Sequence, residues 1–292
     1  MEYFVSTENT TYYHWQLELL IESFKHHNCH DNLLVALAEN QCEIEKHFSR
    51  NIVKQKDVKK RDVSRVYGHD NIGRIRGFNP LNELYSMYWS LQYGMLQQPF
   101  AWIKPHMVLK NQIRKQEEYP SVTFSFDPFF TFQKVRESIG PFWEWVYKSE
   151  SHCEKNWIPA GSVFVFNKIP VMLFERVIVL AEALATRQLA DGKEIWNQTT
   201  KLAWILNLLD FVPKINLSVD YHMTENMLGG GDIHFVDYDH GLPPVFNKSQ
   251  FSYAPPACFS FGDPIRVLSE HAPSPNSHYM SELAKINLQS RS

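Results

Sequence analysis

The sequence predicts an α/β fold, a mostly parallel central sheet flanked by helices. Three observations carry that expectation. Tyr3-Phe-Val-Ser6 is a β-rich tetrad, and after the polar run from Thr7 to Thr11 the residues Trp15, Leu17, Leu19, Leu20, Ile21 and Phe24 recur at helical spacing. Leu33 to Leu37 is an unbroken apolar run of strand length, so residues 3–38 spell one strand–helix–strand unit with a strand covered on both faces. A second passage of the same kind opens at Asn79-Pro80, places Leu81, Leu84, Met87, Tyr88 and Leu91 on one helical face, and leads through Tyr93-Gly94 into the apolar run Phe100 to Ile103.

Between these passages, residues 43–77 crowd Lys54, Lys56, Lys59, Lys60, Arg61, Arg65, Arg74 and Arg76. The segment has two readings, a solvated helix face or a basic rim for a polyanion, with Gly68, Gly73 and Gly77 breaking it into loops. The apolar run at 100–103 stops at Lys104-Pro105-His106 and resumes as Met107-Val108-Leu109, two short strand segments with a polar corner between them. Open α/β sheets place ligands at such a corner, beyond the end of a central strand. Further on, Val122 to Phe126 reads as a strand ending at Asp127-Pro128, and Ile139 to Tyr147 as a short aromatic helix. Pro159-Ala-Gly161 reads as a turn before the strand Val163 to Phe166. Val171 to Leu189 is the longest helix, its apolar repeat explained by core packing alone; Glu194 to Leu209 is a second helix and Leu217 to Tyr221 a short strand. The domain is expected to span residues 1–272, with a linker from Pro273 and a helical tail over about 279–288.

With 44% hydrophobic and 14% aromatic residues in 292, the chain can bury a sizeable core, which excludes a disordered protein. A net charge of -3 argues against a protein that coats nucleic acid generally. Cys29, Cys42, Cys153 and Cys258 lack CxxC or metal-ligand spacing, as in reduced cytosolic proteins. The start Met1-Glu2-Tyr3-Phe4-Val5 lacks the basic and apolar regions of a signal peptide, and Ile169 to Ala185 is interrupted by Glu175, Arg176 and Glu182. A cytoplasmic protein without membrane partners is the expectation.

No nucleophile elbow, Walker loop, GxGxxG fingerprint or HExxH helix is present. The chemistry-bearing groups are histidines and acids near loop ends: His106, then His222, Asp232, His234, Asp237, Asp239 and His240 around Gly229-Gly230-Gly231. Imidazole and carboxylate together suit Mn²⁺, Zn²⁺ or Fe²⁺, and glycines let the backbone come close to a ligand. Each histidine alone is as well explained by a structural hydrogen bond. The run from Thr7 to Thr11 between a strand and a helix likewise reads either as a phosphate or base pocket or as a helix cap.

Taken in order, these elements resemble glycosyltransferases of the GT-A fold, a Rossmann-like arrangement. The family they resemble is the hydroxyproline arabinosyltransferase and peptidyl-serine galactosyltransferase group with its bacterial and phage relatives. The residues that carry this are Tyr3-Phe-Val-Ser-Thr-Glu8 with Trp15-Gln16, Asn79-Pro80, the stretch Trp102 to Leu109, Pro159-Ala-Gly161, Ile233-His234-Phe235 and Phe246-Asn-Lys248. The resemblance implies transfer of a sugar, pentose or hexose, from a nucleoside-diphosphate sugar such as a UDP-sugar to a hydroxyl. It implies nucleotide contacts at Thr7, Glu8 and Asn79, diphosphate contacts at Lys104 and Lys248, and a divalent cation, Mn²⁺ or Mg²⁺, held by His106, His234 and His240. Lys104, Asp237 and Asp239 are then the catalytic candidates. The family's acidic metal-binding corner is replaced by Lys104 and His106. Either His106 ligates a metal with His234, or Lys104 neutralises the diphosphate without one, or the site has decayed and the chain is an inactive nucleotide-sugar or nucleic-acid binding protein. A hydroxymethylated base in phage DNA, in the bacterial host cytoplasm, is an acceptor that would suit the basic segment 54–76. A metal-dependent hydrolase using His222, His234, Asp237 and His240 is the remaining reading.

Overall fold

The structure is a computed structural model that describes residues 1–8, 11–29, 32–39, 52–54, 65–70, 81–105, 107–109, 121–127, 130–139, 150–192, 199–215, 219–220, 235–237 and 282–289. Its elements are β1 (Glu2–Glu8), α1 (Thr11–His26), β2 (Leu33–Glu39), β3 (Ile52–Lys54), β4 (Arg65–Asp70), α2 (Leu81–Gln92), β5 (Phe100–Trp102) and β6 (Met107–Leu109). There follow β7 (Val122–Phe126), α3 (Phe132–Ile139), α4 (Glu150–Lys155), β8 (Ala160–Phe166), α5 (Val171–Ala190), α6 (Thr199–Ile215), β9 (Val219–Asp220), β10 (Phe235–Asp237) and α7 (residues 282–289). The architecture is the expected α/β class with a central sheet flanked by helices. Its eight strands run in the order β3-β4-β2-β1-β5-β8-β7-β9, while β6 and β10 form a separate two-stranded ribbon. Pairing is parallel between β1 and β5, β2 and β4, β3 and β4, and β7 and β9, and antiparallel on both sides of β8.

The chain divides into two compact units: one of Met1–Phe4, Asn71–Trp102 and Lys115–Glu225, the other of Val5–Asp70, Ile103–Arg114 and Asn226–Ser292. In the second unit the expected strand–helix–strand passage is present as β1–α1–β2. Leu33 to Ala38 are all buried, which is why the sequence there is a continuous apolar run and not an alternating one. Leu17, Leu20, Ile21 and Phe24 form the buried stripe of α1. The helix stops at Asn28, which takes φ 53°, a left-handed conformation that asparagine tolerates better than most residues. In α7, Leu283, Ala284 and Asn287 are buried.

The first unit is built on aromatic packing. Phe100 of β5 lies opposite Phe166 of β8, with ring centroids 5.1 Å apart. Trp204 of α6 closes on Phe166 at 4.6 Å and on Phe174 of α5 at 4.8 Å. All four side chains are fully buried. At about 25 cal/mol per Å² of apolar surface, fully buried rings of this size each contribute on the order of a few kcal/mol to the contact of α5 and α6 with the sheet. α2 packs on α5, and Ser86 and Ser90 turn their hydroxyls back to the carbonyls of Asn82 (2.6 Å) and Ser86 (2.7 Å), so neither is left unsatisfied in the interior. Gly94, at φ 67°, supplies the left-handed residue that ends α2.

Several local expectations are corrected. Gly68 lies inside β4 and not in a loop; its backbone pairs with Leu37 on one side and Lys54 on the other, and a central strand position tolerates a missing side chain when both backbone edges are bonded. The helix-face reading of this segment fails for 52–54 and 65–70, which are strands, since Ile52-Val53 and Val66-Tyr67 prefer extended backbone. Thr7 and Glu8 belong to β1, so that strand is two residues longer than its apolar core suggests. Ala160 and Gly161 are in β8, because Phe126 pairs with Ala160 across a register shift that extends the ladder past Val163. α6 continues past the expected end at Leu209 to Ile215; residues 194–198 lie outside the described residues. Ile139 ends α3, a helix over 132–139 that the sequence did not suggest; residues 140–147 of the expected aromatic helix lie outside the described residues.

Two predictions follow from the packing. Tyr85 and Tyr88 of α2 donate hydrogen bonds to Glu182 and Glu175 of α5. Burial and then the Glu182 hydrogen bond push the Tyr85 phenol up to about 12, and the Glu175 hydrogen bond raises Tyr88. Because the folded state holds these protons more tightly than the unfolded chain, their stabilisation is complete below pH ~10 and is lost as pH rises towards 12. The urea midpoint should fall over that interval, and Tyr85→Phe should flatten the fall. Second, Lys201 is buried and its ammonium lies 3.3 Å from Asp127 Oδ2. Asp127→Ala should therefore cost about 3–5 kcal/mol by denaturant unfolding, whereas Asp127→Asn with Lys201→Met should fall close to wild type.

Candidate functional site

The strand order turns at β1. The chain passes from β1 through α1 to β2 on one side, and returns later to place β5 on the other. In open α/β sheets the ligand crevice opens beyond the carboxyl end of the strand where this reversal occurs. In the second unit that end is Thr7–Glu8. Thr7 is buried to 1% exposure, and its Oγ1 has no hydrogen-bond partner among the described residues. A buried hydroxyl without a partner costs about 1–3 kcal/mol. Gln16, on α1 and 3% exposed, has its Oε1 in the same condition. Sequence reasoning treated Gln16 only as part of a resemblance; a polar residue on the apolar stripe with Leu17 and Leu20 was the signal available.

The Lys104 corner has defined backbone geometry. The Met107 amide donates to the Lys104 carbonyl at 3.2 Å, closing a four-residue turn with Pro105 second, the position that its fixed φ favours. Pro105 is buried and Lys104 half-buried. The strand that leaves this corner, β6, does not extend the main sheet. It pairs antiparallel with β10, in the register Met107↔Asp237, Val108↔Val236 and Leu109↔Phe235. On its other side Ser23 of α1 takes the place of a strand partner: its Oγ accepts the Leu109 amide at 2.9 Å and donates to the Leu20 carbonyl at 2.6 Å. Met107 and Leu109 thus direct their amides one way, as residues two apart in a strand do.

This pairing joins two candidates far apart in the sequence. Asp237 lies across from Met107, the last residue of the Lys104 turn, and Phe235-Val-Asp237 is a strand where a loop was expected. Among the site residues expected from sequence, Thr7, Glu8, Lys104 and Asp237 are described; Asn79, His106, His234, Asp239, His240 and Lys248 lie outside the described residues, as do His222 and Asp232. Among the described residues, no three His, Cys, Asp or Glu side chains gather to hold a metal. Cys29 is held apart from any such chemistry: burial pushes its thiol up to about 11, and Sγ points to the Phe24 carbonyl at 3.6 Å. No described helix is long and apolar enough to cross a membrane.

No family model and no curated protein matches the sequence. Among solved structures the chain is similar to a galactosyltransferase, LgtC, in complex with donor and acceptor sugar analogs, with 9% identity and a TM-score of 0.40 over 70% of each chain. It is also similar to the bifunctional glycosyltransferase WbbM, with 14% identity and a TM-score of 0.39 over 70% of this chain and 37% of that one. A third is the glycosyltransferase GlyE of Streptococcus pneumoniae TIGR4, with 10% identity and a TM-score of 0.40 over 76% of this chain and 45% of that one. The chain thus spans less than half the length of the latter two.

Ser23 is testable as the anchor of the corner. Ser23→Val should leave the Leu109 amide unpaired in the interior and cost about 1–3 kcal/mol. Amide hydrogen exchange at Leu109 should accelerate in this variant, while exchange in β2 should hardly change.

Proposed function

We propose that the chain is a glycosyltransferase, moving a sugar from a nucleoside-diphosphate sugar to a hydroxyl acceptor. The observation that supports this most is the β6–β10 register, which sets an acidic residue of the 232–240 segment across from the Lys104 turn, at the turn of an open α/β sheet. The unpartnered hydroxyl of Thr7 at the carboxyl end of β1 supports a nucleotide contact there, with Glu8 next to it in the strand. A UDP-sugar is the donor we infer, its transferred group a hexose or pentose.

When a nucleoside diphosphate departs, negative charge develops on its phosphate oxygens, and preorganised positive charge lowers that barrier. Lys104 is assigned this role with Lys248. Asp237 and Asp239 are assigned to the acceptor hydroxyl as proton acceptors. A divalent cation, Mn²⁺ or Mg²⁺, would supply Lewis-acid charge at the diphosphate, and His106, His234 and His240 are the residues proposed to hold it. Imidazole ligands suit Mn²⁺ better than Mg²⁺, which prefers oxygen. The same geometry serves an inactive nucleotide-sugar binding protein, which keeps the Thr7 contact and lacks transfer.

A hydroxymethylated DNA base is the acceptor supported by the basic segment 54–76, in which Lys54 closes β3 and Arg65 opens β4. Duplex binding that weakens steeply between 50 and 200 mM salt is its expected signature.

A thermal-shift panel of UDP, GDP, CDP and their sugars, each with and without Mn²⁺, tests the donor site. UDP compounds should raise the melting temperature, and Lys104→Ala should weaken that binding tenfold or more, about the loss of one charge-assisted hydrogen bond, without unfolding the protein. Stabilisation only with Mn²⁺ favours the histidine ligands, and metal-free stabilisation favours Lys104. Silence with every nucleotide rejects the reading, and binding without sugar loss from the donor selects the inactive alternative.

A further inference from the structure

We propose that Ser23 is a positioning residue for the diphosphate: from α1, its hydroxyl sets where the Lys104 turn stands and so how tightly a nucleoside diphosphate is held. The inference rests on the transferase reading for the role of Lys104. Ser23 is fully buried, in one stripe of α1 with Leu19 and Leu20. A helix that only had to fill this space would be served as well by alanine, the stronger helix former. The hydroxyl makes two bonds. Donation to the Leu20 carbonyl at 2.6 Å is local, and helical serines commonly make it. Acceptance of the Leu109 amide at 2.9 Å spans 86 residues and joins α1 to β6.

The second bond governs the corner. β6 pairs with β10 only through Met107↔Asp237, Val108↔Val236 and Leu109↔Phe235. So short a ladder specifies its register weakly, and a slip of one residue would exchange the faces of the strand. The Met107 amide closes the Lys104 turn at 3.2 Å, and the Leu109 amide, two residues on and therefore along the same edge, ends on Ser23. An extended backbone has little stretch, so a slide of Leu109 along the strand axis carries Met107 with it, and with Met107 the Lys104 carbonyl. Met107 and Leu109 are buried, and a close-packed interior transmits such a shift instead of absorbing it.

α1 begins at Thr11, just past the strand end of Thr7 and Glu8. That strand end, α1 and the Lys104 corner all belong to the second unit. Ser23 therefore ties the residue assigned to the diphosphate to the helix that follows the residues assigned to the nucleotide. A charge-assisted hydrogen bond depends steeply on distance and angle, so a displaced turn weakens the Lys104 contact without removing any ligand-touching group. The signature is a loss of diphosphate affinity that needs Lys104 to be present.

A double-mutant cycle on the full chain tests this, with UDP titrated calorimetrically in the presence of Mn²⁺ into wild type, Ser23→Ala, Lys104→Ala and the double variant. Ser23→Ala should weaken UDP about threefold or more, and should make no further difference once Lys104 is alanine. Ser23→Thr keeps the hydroxyl and should restore UDP affinity, although its added methyl lowers the denaturation midpoint. Should Ser23→Ala not fold, Ser23→Cys, with a similar volume and a poorer acceptor, takes its place in the cycle. UDP affinity unchanged in Ser23→Ala, an equal loss in both backgrounds, or a folded Ser23→Thr that binds no better than Ser23→Ala overturns the positioning role and leaves the transferase reading standing. If UDP does not bind the wild type, the cycle is run with GDP or CDP. Silence towards all three rejects the transferase reading, and the role of Ser23 with it.

Discussion

The candidate site depends on how three residues, Met107 to Leu109, satisfy their backbone. A strand this short has too few ladder bonds to hold itself, and buried amides must find acceptors. Here one edge is given to β10, and the other to a turn carbonyl and the hydroxyl of Ser23. A serine in a helix commonly bonds the carbonyl three or four residues back, and Ser23 does so through its proton. Its lone pairs remain to accept the Leu109 amide, so one side chain completes both the helix and the strand.

That arrangement fixes the backbone of the corner. The Lys104 turn is fixed by its own hydrogen bond at one end of β6, and the strand is tied to α1 at the other. Positive charge on a rigid backbone costs less reorganisation when an anion arrives than the same charge on a free loop.

The sequence made the α/β class legible because β1 and β2 are unbroken buried runs of strand length, while α5 buries residues at helical spacing. It made the corner legible as an interruption between apolar runs. It did not show that β6 leaves the main sheet, since two strands in succession look alike whether they continue one ladder or start another. The β10 strand was hidden for a related reason: three residues after a triple glycine carry little periodic signal, and only the pairing with β6 makes them a strand. Gly68 misled because glycine marks loops through its intrinsic freedom, while central pairing on both sides can overrule that preference.

Polar groups were the least legible part. Lys201 sits in an apolar helical run, and nothing in its neighbours reveals that its ammonium meets Asp127, seventy-four residues earlier in the chain. The same holds for Ser23, Thr7 and Gln16, whose meaning depends on which atoms face them. Long-range pairing of this kind is decided by the sheet order, because β7, β8 and α6 must be assembled before Asp127 and Lys201 can meet. A buried ion pair is a weak source of net stability, since desolvation offsets most of its attraction.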